Sequence, residues 1–304
     1  MVREVADTEV WHYPLPPPYE TLLEKVRGVN GLLCLITDKI DAHLMDVAGP
    51  ELRVISQMAV GFDNVDVSNA TVRGIAVGNT PGVLTDTTAD FAFTLLMAAA
   101  RRVVEGERYV KAGRWQTWGP TLLMGHDVHG ATLGIIGFGR IGRAMAKRAV
   151  GFGMRVLCHD HNCNKESARK LGAELCSLNV LLSESDFVSL HVPLNSDTYH
   201  LIGEHEMQVM KPTSVLINTA RGPIVDPVAL YEALLGAEIS FAALDVTEPE
   251  PILHDDLLLT LDNCLIVPHI ASSSVATREK MAIMAAENLI AGLRGEELPH
   301  VVHP

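Results

Sequence analysis

The sequence predicts an α/β chain built from two doubly wound parallel-sheet domains. Three observations lead there. Short apolar runs alternate with helical stretches along most of the chain, which is the pattern of parallel strands joined by helical crossovers. The run Leu133–Ile136 feeds a turn with Gly137, Gly139 and Gly142 in G-x-G-x-x-G order, and a helical stretch follows at once. The length, 304 residues, exceeds what one core usually organises, so two domains are expected.

Taken in order, Met1–Tyr13 reads as the remnant of a helix and a short strand, TEVWHY. The prolines of Pro14–Pro18 forbid a ladder there. Helices are expected at Tyr19–Val29, Lys39–Val47 and Ser68–Arg73, and strands at Gly31–Leu35, Leu52–Met58 and Ala76–Gly78. Asn79–Gly82, NTPG, breaks the alternation and reads as a hinge, paired with a second near Ile270. Asp86–Arg102 is a long helix, apolar nearly all round, so it is expected between layers or against a second subunit. Helix continues over Glu105–Gly113, and Trp115–Gly125 is an irregular arm with two tryptophans. After the glycine turn, strands are expected at Arg155–His159, Glu174–Leu175, Phe187–Leu190, Ser214–Thr219, Phe241–Asp245 and Cys264–Pro268. Helical stretches lie between them, and Ser274–Gly292 is the closing helix.

Composition narrows the function classes. The chain is 48% hydrophobic and 20% charged, with a formal charge of −13 and no lysine or arginine run. Nucleic acid and anionic membranes are therefore not expected partners. An anionic substrate would need local positive groups. The longest apolar run, Phe91–Ala100, is too short to span a bilayer, and no secretory leader is read. The five cysteines fit no zinc or redox spacing. No metal site is expected, and the thiols suit a reducing cytoplasm.

Each glycine of the turn has a physical role. Gly137 allows the sharp exit from the strand, Gly139 lets backbone approach a pyrophosphate, and Gly142 lets helix and strand pack closely. Free N–H groups at the helix start face phosphate oxygens. Asp160 ends the next strand, 18 positions beyond Gly142, near the roughly 20 expected of an acid that grips a ribose hydroxyl. The reading is a Rossmann-like dinucleotide site.

Ligands of such sheets bind beyond the carboxyl ends of the strands. The residues there are Asp160, His191, Arg221, Asp245 and His269. A histidine can exchange a proton near neutral pH, a carboxylate such as Glu250 can orient its ring, and an arginine can hold a carboxylate bidentately. With Arg221 holding a 2-oxo acid and His269 protonating its carbonyl oxygen, the chemistry is hydride transfer. Spacing alone leaves open whether the three meet. Separately, Arg221 fits a helix salt bridge, Glu250 a solvated loop acid and His269 a satisfied core histidine. His191 is read as lining the cofactor site.

Seven segments together resemble the D-2-hydroxyacid dehydrogenase family, within it the glyoxylate/hydroxypyruvate reductase branch. They are AVGFDNVDV, NTPGVLTDTTADFAF, GIIGFGRIG, SDFVSLHVPL, MKPTSVLINTARGPIVD, ALDVTEPEP and VPHIASSS. The resemblance places the catalytic arginine, acid and histidine on Arg221, Glu250 and His269. It implies that the backbone of Val60 and Gly61 binds the substrate carboxylate, alongside Arg221 and His269, and that Asp245 binds the nicotinamide carboxamide. Thr88, Phe138, Gly139, Arg140 and Ile141 would line the cofactor. So would Asp160, His191, Pro193, Thr198, Thr219 and Ala220.

The implied layout is a substrate domain, residues 1–78 plus 271–304, and an NAD-binding domain, residues 79–270. A homodimer would form through the helix and arm at about 86–125. Members of other substrate classes, such as phosphoglycerate dehydrogenases, remain alternatives, as do NAD-sensing corepressors that share the fold. Formate dehydrogenases carry glutamine where Glu250 stands.

Two departures stand out. The first strand of the substrate domain has no counterpart, so either the chain starts inside a longer sequence or a strand is lost; loss would bare a sheet edge. At Cys158-His159-Asp160-His161, Asp160 would repel a 2′-phosphate. NAD is thus the expected cofactor, with NADP left open by His161.

Overall fold

The structure is a computed structural model that describes residues 1–303. The chain divides into two compact units, residues 1–84 with 273–303, and residues 85–272.

The first unit holds a three-stranded parallel sheet, β1 (Gly31–Cys34), β2 (Val54–Gln57) and β3 (Ala76–Gly78), in that order. Residues preceding and joining these strands form α1 (Tyr19–Lys25), α2 (Ala42–Ala48) and α3 (Val67–Val72). Asp41 and Asp66 cap α2 and α3, each accepting from a backbone N–H in the first turn. The closing helix, numbered α11 (Val275–Arg294), packs on all three strands. It is pinned to β2 where the Ser56 hydroxyl donates to the Ala285 carbonyl at 2.7 Å.

The strand expected at TEVWHY does not form. Residues 6–18 have no ladder partner, and Trp11 donates its ring N–H to the Leu15 carbonyl at 2.8 Å. Among the described residues β1 pairs only with β2, so this segment does not take up the open edge of that sheet.

The second unit is a seven-stranded parallel sheet flanked by helices on both faces. Its strands are β4 (Thr132–Ile136), β5 (Arg155–His159), β6 (Ala173–Leu175), β7 (Phe187–Leu190), β8 (Val215–Asn218), β9 (Phe241–Leu244) and β10 (Cys264–Ile266). Across the sheet they run β10-β9-β8-β7-β4-β5-β6, every pair parallel. Strand order reverses between β4 and β7, the switch point at which such sheets bind ligands.

The alternation of side chains explains the continuous apolar runs. Leu133, Ile135, Val156, Phe187 and Ile217 face one core, shared with α4 (Thr85–Ala100) and α6 (Arg140–Gly151). Ile136, Leu157, Val188, Leu190 and Leu216 face the other. That core is completed by α8 (Leu178–Glu184), α9 (Glu204–Val209) and α10 (Pro227–Leu235). A sheet covered on both sides favours nearly continuous apolar runs. The all-round apolar helix α4 lies against α6, β8 and β9. It ends at Ala100, and Arg102, in left-handed backbone, is the N-cap of α5 (Val103–Lys111). The arm after it leaves Trp115 and Trp118 largely exposed. The remaining helix, α7 (Lys165–Arg169), is capped by Asn164. No helix of the described residues is long and apolar enough to cross a membrane.

Candidate active site

The glycine turn is built by close approach. Gly137 has φ 91°, and a Cβ there would lie 2.6 Å from the His191 backbone, so the turn runs against the chain leaving β7. A Cβ on Gly142 would come within 2.1 Å of the Gly137 carbonyl, so α6 rests on its own preceding turn. Gly139 is different: a Cβ there would meet nothing within 4 Å, and as N-cap it offers no side-chain acceptor. The first N–H groups of α6, at Arg140 and Ile141, thus begin a twelve-residue helix behind an open glycine. This is the geometry that binds a pyrophosphate.

Asp160 closes this end of the sheet. One carboxylate oxygen accepts the Phe138 N–H at 2.7 Å and the other the Asn162 N–H at 2.7 Å. The acid is held in place with lone pairs to spare for ribose hydroxyls. The Phe138 side chain is buried in the core, so only its backbone belongs to the turn's open face.

Beyond β7, the Thr198 hydroxyl donates to the Pro193 carbonyl at 2.6 Å and closes a short loop. The His191 Nε2 lies 2.9 Å from the Ser189 Oγ. Burial pushes His191 down to about 4, so its ring is neutral at neutral pH. Beyond β8, Thr219 is buried and its hydroxyl has no partner among the described residues. The Ala220 N–H donates to Asn218 Oδ1 at 3.0 Å. Thr88 is buried in the first turn of α4.

The structure brings His269 and Glu250 together. His269 Nδ1 lies 2.5 Å from Glu250 Oε1. Both side chains are partly exposed, at 24% and 37%, so the ring can still meet a ligand. With Nδ1 held by a carboxylate, Nε2 is the nitrogen left to exchange a proton. His269 sits in the left-handed region at φ 51°, a conformation that surroundings must hold. Asp245 does this. Its carbonyl accepts the His269 N–H at 2.9 Å, and its two carboxylate oxygens accept the N–H groups of Ile270 and Ala271 at 2.7 and 2.9 Å. Burial pushes the Asp245 carboxyl up, against the pull of those two N–H groups. Asp245 thus braces the histidine loop, a role its position at a strand end did not announce.

Arg221 follows β8 in extended backbone, and its carbonyl accepts from Asn218 Nδ2 at 2.8 Å. One guanidinium nitrogen donates to the Ala220 carbonyl at 2.8 Å. The next residue, Gly222, decides where this loop lies: a Cβ there would be 1.9 Å from the Thr247 carbonyl oxygen. The loop carrying Arg221 is therefore in backbone contact with the loop carrying Glu250.

Val60 and Gly61 belong to the first unit, in the loop after β2. The Val60 carbonyl accepts from Asn79 Nδ2 at 2.8 Å, and that of Gly61 from Gln57 Nε2 at 3.4 Å. Their own N–H groups have no backbone partner within that unit.

Residues 93–271 match the family model described as D-isomer specific 2-hydroxyacid dehydrogenase, NAD binding domain. The chain belongs to this dehydrogenase family. It is 53% identical over 303 residues to a glyoxylate reductase of Korarchaeum cryptofilum, covering 99% of this chain and 91% of that one. A glyoxylate reductase of Thermococcus litoralis is 49% identical, with 100% and 92% covered. Among solved structures, the TT0316 protein of Thermus thermophilus superposes with a TM-score of 0.90 at 48% identity, with 96% and 92% covered.

As a family dehydrogenase, this chain is an oxidoreductase that works with NAD(P). Its own residues fit such a cofactor: an uncapped helix start behind an open glycine, an acid at the end of β5 that touches the glycine turn, and the orphaned hydroxyl of Thr219. Among the described residues, no group of three or more histidine, cysteine or acidic side chains could hold a metal ion. Sequence reasoning does not single out His200 and Glu248, whose side chains meet at 2.8 Å beside these loops. Residues 48 positions apart carry no periodic signal that would pair them.

Proposed function

We propose that this chain reduces glyoxylate or hydroxypyruvate to the D-2-hydroxy acid, with Arg221, Glu250 and His269 as its catalytic residues. The carrying observation is the His269–Glu250 contact at 2.5 Å, set beside a loop that presents Arg221. The names of the relatives agree with a small 2-oxo acid as substrate. Arg221 holds the substrate carboxylate and also polarises the carbonyl. His269 donates its Nε2 proton to the carbonyl oxygen, and Glu250 stabilises the ring while it carries charge. A reduced nicotinamide, when bound at the glycine turn, would supply the hydride that the carbonyl carbon takes up. Solvent then returns a proton to His269.

Oxidation of NADH with glyoxylate, hydroxypyruvate, pyruvate and 3-phosphohydroxypyruvate, assayed in parallel, tests this reading. Turnover on the first two is expected. Tight NADH binding without turnover on any 2-oxo acid would instead indicate a cofactor-sensing protein.

NADH is the preferred cofactor in this reading, because Asp160 accepts from ribose hydroxyls and repels a 2′-phosphate. Asp160→Ala is expected to raise the KM for NADH about tenfold, the worth of roughly one charged hydrogen bond, and to narrow the preference over NADPH. An unchanged ratio of kcat/KM for the two cofactors would remove Asp160 from that role.

The unit of residues 1–84 with 273–303 serves as the substrate domain and that of 85–272 as the cofactor domain, boundaries a few residues from the 1–78, 271–304 and 79–270 read from the sequence. A homodimer would cover α4, α5 and the arm, where Trp115, Trp118 and Met124 are 61%, 78% and 63% exposed. Light scattering should give twice the mass of one chain; a monomer at micromolar concentration would refute the dimer. The five unpaired thiols suit a cytoplasmic location, and recovery in a secreted or membrane fraction would refute it.

A further inference from the structure

His200 joins the loop that carries Arg221 to the loop that carries Glu250. It lies just past the Pro193–Thr198 loop, in left-handed backbone at φ 49°. Its N–H donates to the Pro223 carbonyl at 2.8 Å, within the single turn Gly222–Ile224 that follows Arg221. Its ring reaches the other way, with Nε2 2.8 Å from Glu248 Oε2. The remaining nitrogen faces Asp226 Oδ2 at 3.7 Å. The other Asp226 oxygen accepts from the N–H groups that open α10. Tyr199 stacks on the ring at 4.0 Å between centroids and turns its hydroxyl toward Glu248 Oε1 at 3.4 Å. Glu248, Asp226 and Tyr199 are thus the groups that face this imidazole.

Glu248 stands two residues before Glu250. The segment between them is also tied by the Thr247 hydroxyl, which donates to the Pro249 carbonyl at 2.8 Å, and by the backbone contact at Gly222. Those ties set where the segment begins. The His200–Glu248 bond sets how its far side is turned.

We propose that His200 is a positioning residue, which grips Glu248 so that the neighbouring Glu250 carboxylate is aimed at His269 Nδ1. This rests on the catalytic roles proposed above. As an isolated ion pair with both side chains over a quarter exposed, at 29% and 28%, it would add little stability. Its value lies in geometry, since one residue bonds both loops at once. A displacement of ~1 Å in such a support can cost about a hundredfold in rate.

The test compares His200→Ala and His200→Gln, with Glu248→Gln as a second probe of the same bond. Glutamine at 200 keeps a nitrogen donor near the position of Nε2. In His200→Ala, kcat with glyoxylate should fall by about 10- to 100-fold, the range for lost outer-shell partners. The KM for glyoxylate and the affinity for NADH should stay within about twofold, and His200→Gln should recover most of the rate. A low-field imidazole N–H resonance from the His269–Glu250 pair should be present in the parent chain, absent in His200→Ala and restored in His200→Gln. That resonance is read without substrate, so it tests the grip even if the parent chain turns over no 2-oxo acid. Full kcat and an intact resonance in His200→Ala would overturn the proposal. So would equal loss of both in the alanine and glutamine variants, with Glu248→Gln unaffected.

Discussion

His269→Ala is expected to lower kcat by about two to four orders of magnitude, the worth of a positioned general acid, while NADH binds as in the parent chain. The size follows from the site's chemistry. The Nδ1 atom is taken by Glu250 at 2.5 Å, so Nε2 is the atom of this dyad that can reach a carbonyl oxygen. Alanine removes it and leaves Glu250 without its partner. Cofactor affinity should hold because the glycine turn, Asp160 and Thr219 bond none of their polar groups to the His269 ring. Single-turnover measurements with bound NADH separate the chemical step from binding. A rate within about threefold of the parent, against the hundredfold or more expected, would show that protonation comes from elsewhere.

Gly222→Ala is expected to lower kcat/KM at least about a hundredfold, since misplacing a catalytic loop by an ångström costs that much. It should also destabilise the chain by roughly 1–3 kcal/mol, as overpacking does. The added carbon would sit 1.9 Å from the Thr247 carbonyl oxygen and 2.9 Å from the Glu248 nitrogen. These are backbone atoms, so no rotamer change makes room; one loop must move off the other. Since Arg221 adjoins Gly222 and Glu250 lies three residues past Thr247, the displacement falls on the groups proposed as catalytic. Steady-state kinetics and the urea midpoint, measured together, give both effects. Normal values of both would mean that the two loops do not touch.

These two variants mark how differently the parts of the site can be read beforehand. Loss of function at His269 is foreseeable from its place after a strand in VPHIASS. The effect at Gly222 is not, because it depends on a residue 25 positions later. The same division runs through the fold. Apolar runs such as Leu133–Ile136 and Phe187–Leu190 announce strands buried on both faces, and both cores draw on them. TEVWHY, also read as a strand, stays irregular, with the Trp11 ring N–H given to the Leu15 carbonyl among the prolines that follow. Asp245 looks like a ligand-facing acid in the sequence. Each of its oxygens accepts an N–H, from Ile270 and from Ala271, a bracing contact that the sequence does not show. His200 has no motif around it that would set it apart.

Residue order alone determined the strand–helix alternation, the glycine turn with its open helix start, and the placing of Arg221, His269 and Asp160 past strand ends. These are local properties: periodicity, a missing Cβ and the polarity of a parallel strand act within a few residues. Tertiary structure alone decided which loops lie against each other, that Glu250 meets His269, and that Asp245 and His200 brace the loops around them. Such pairings join residues 19 to 48 positions apart. They arise only when packed sheets and helices bring distant backbone together, with buried polar groups taking whatever partners that packing supplies.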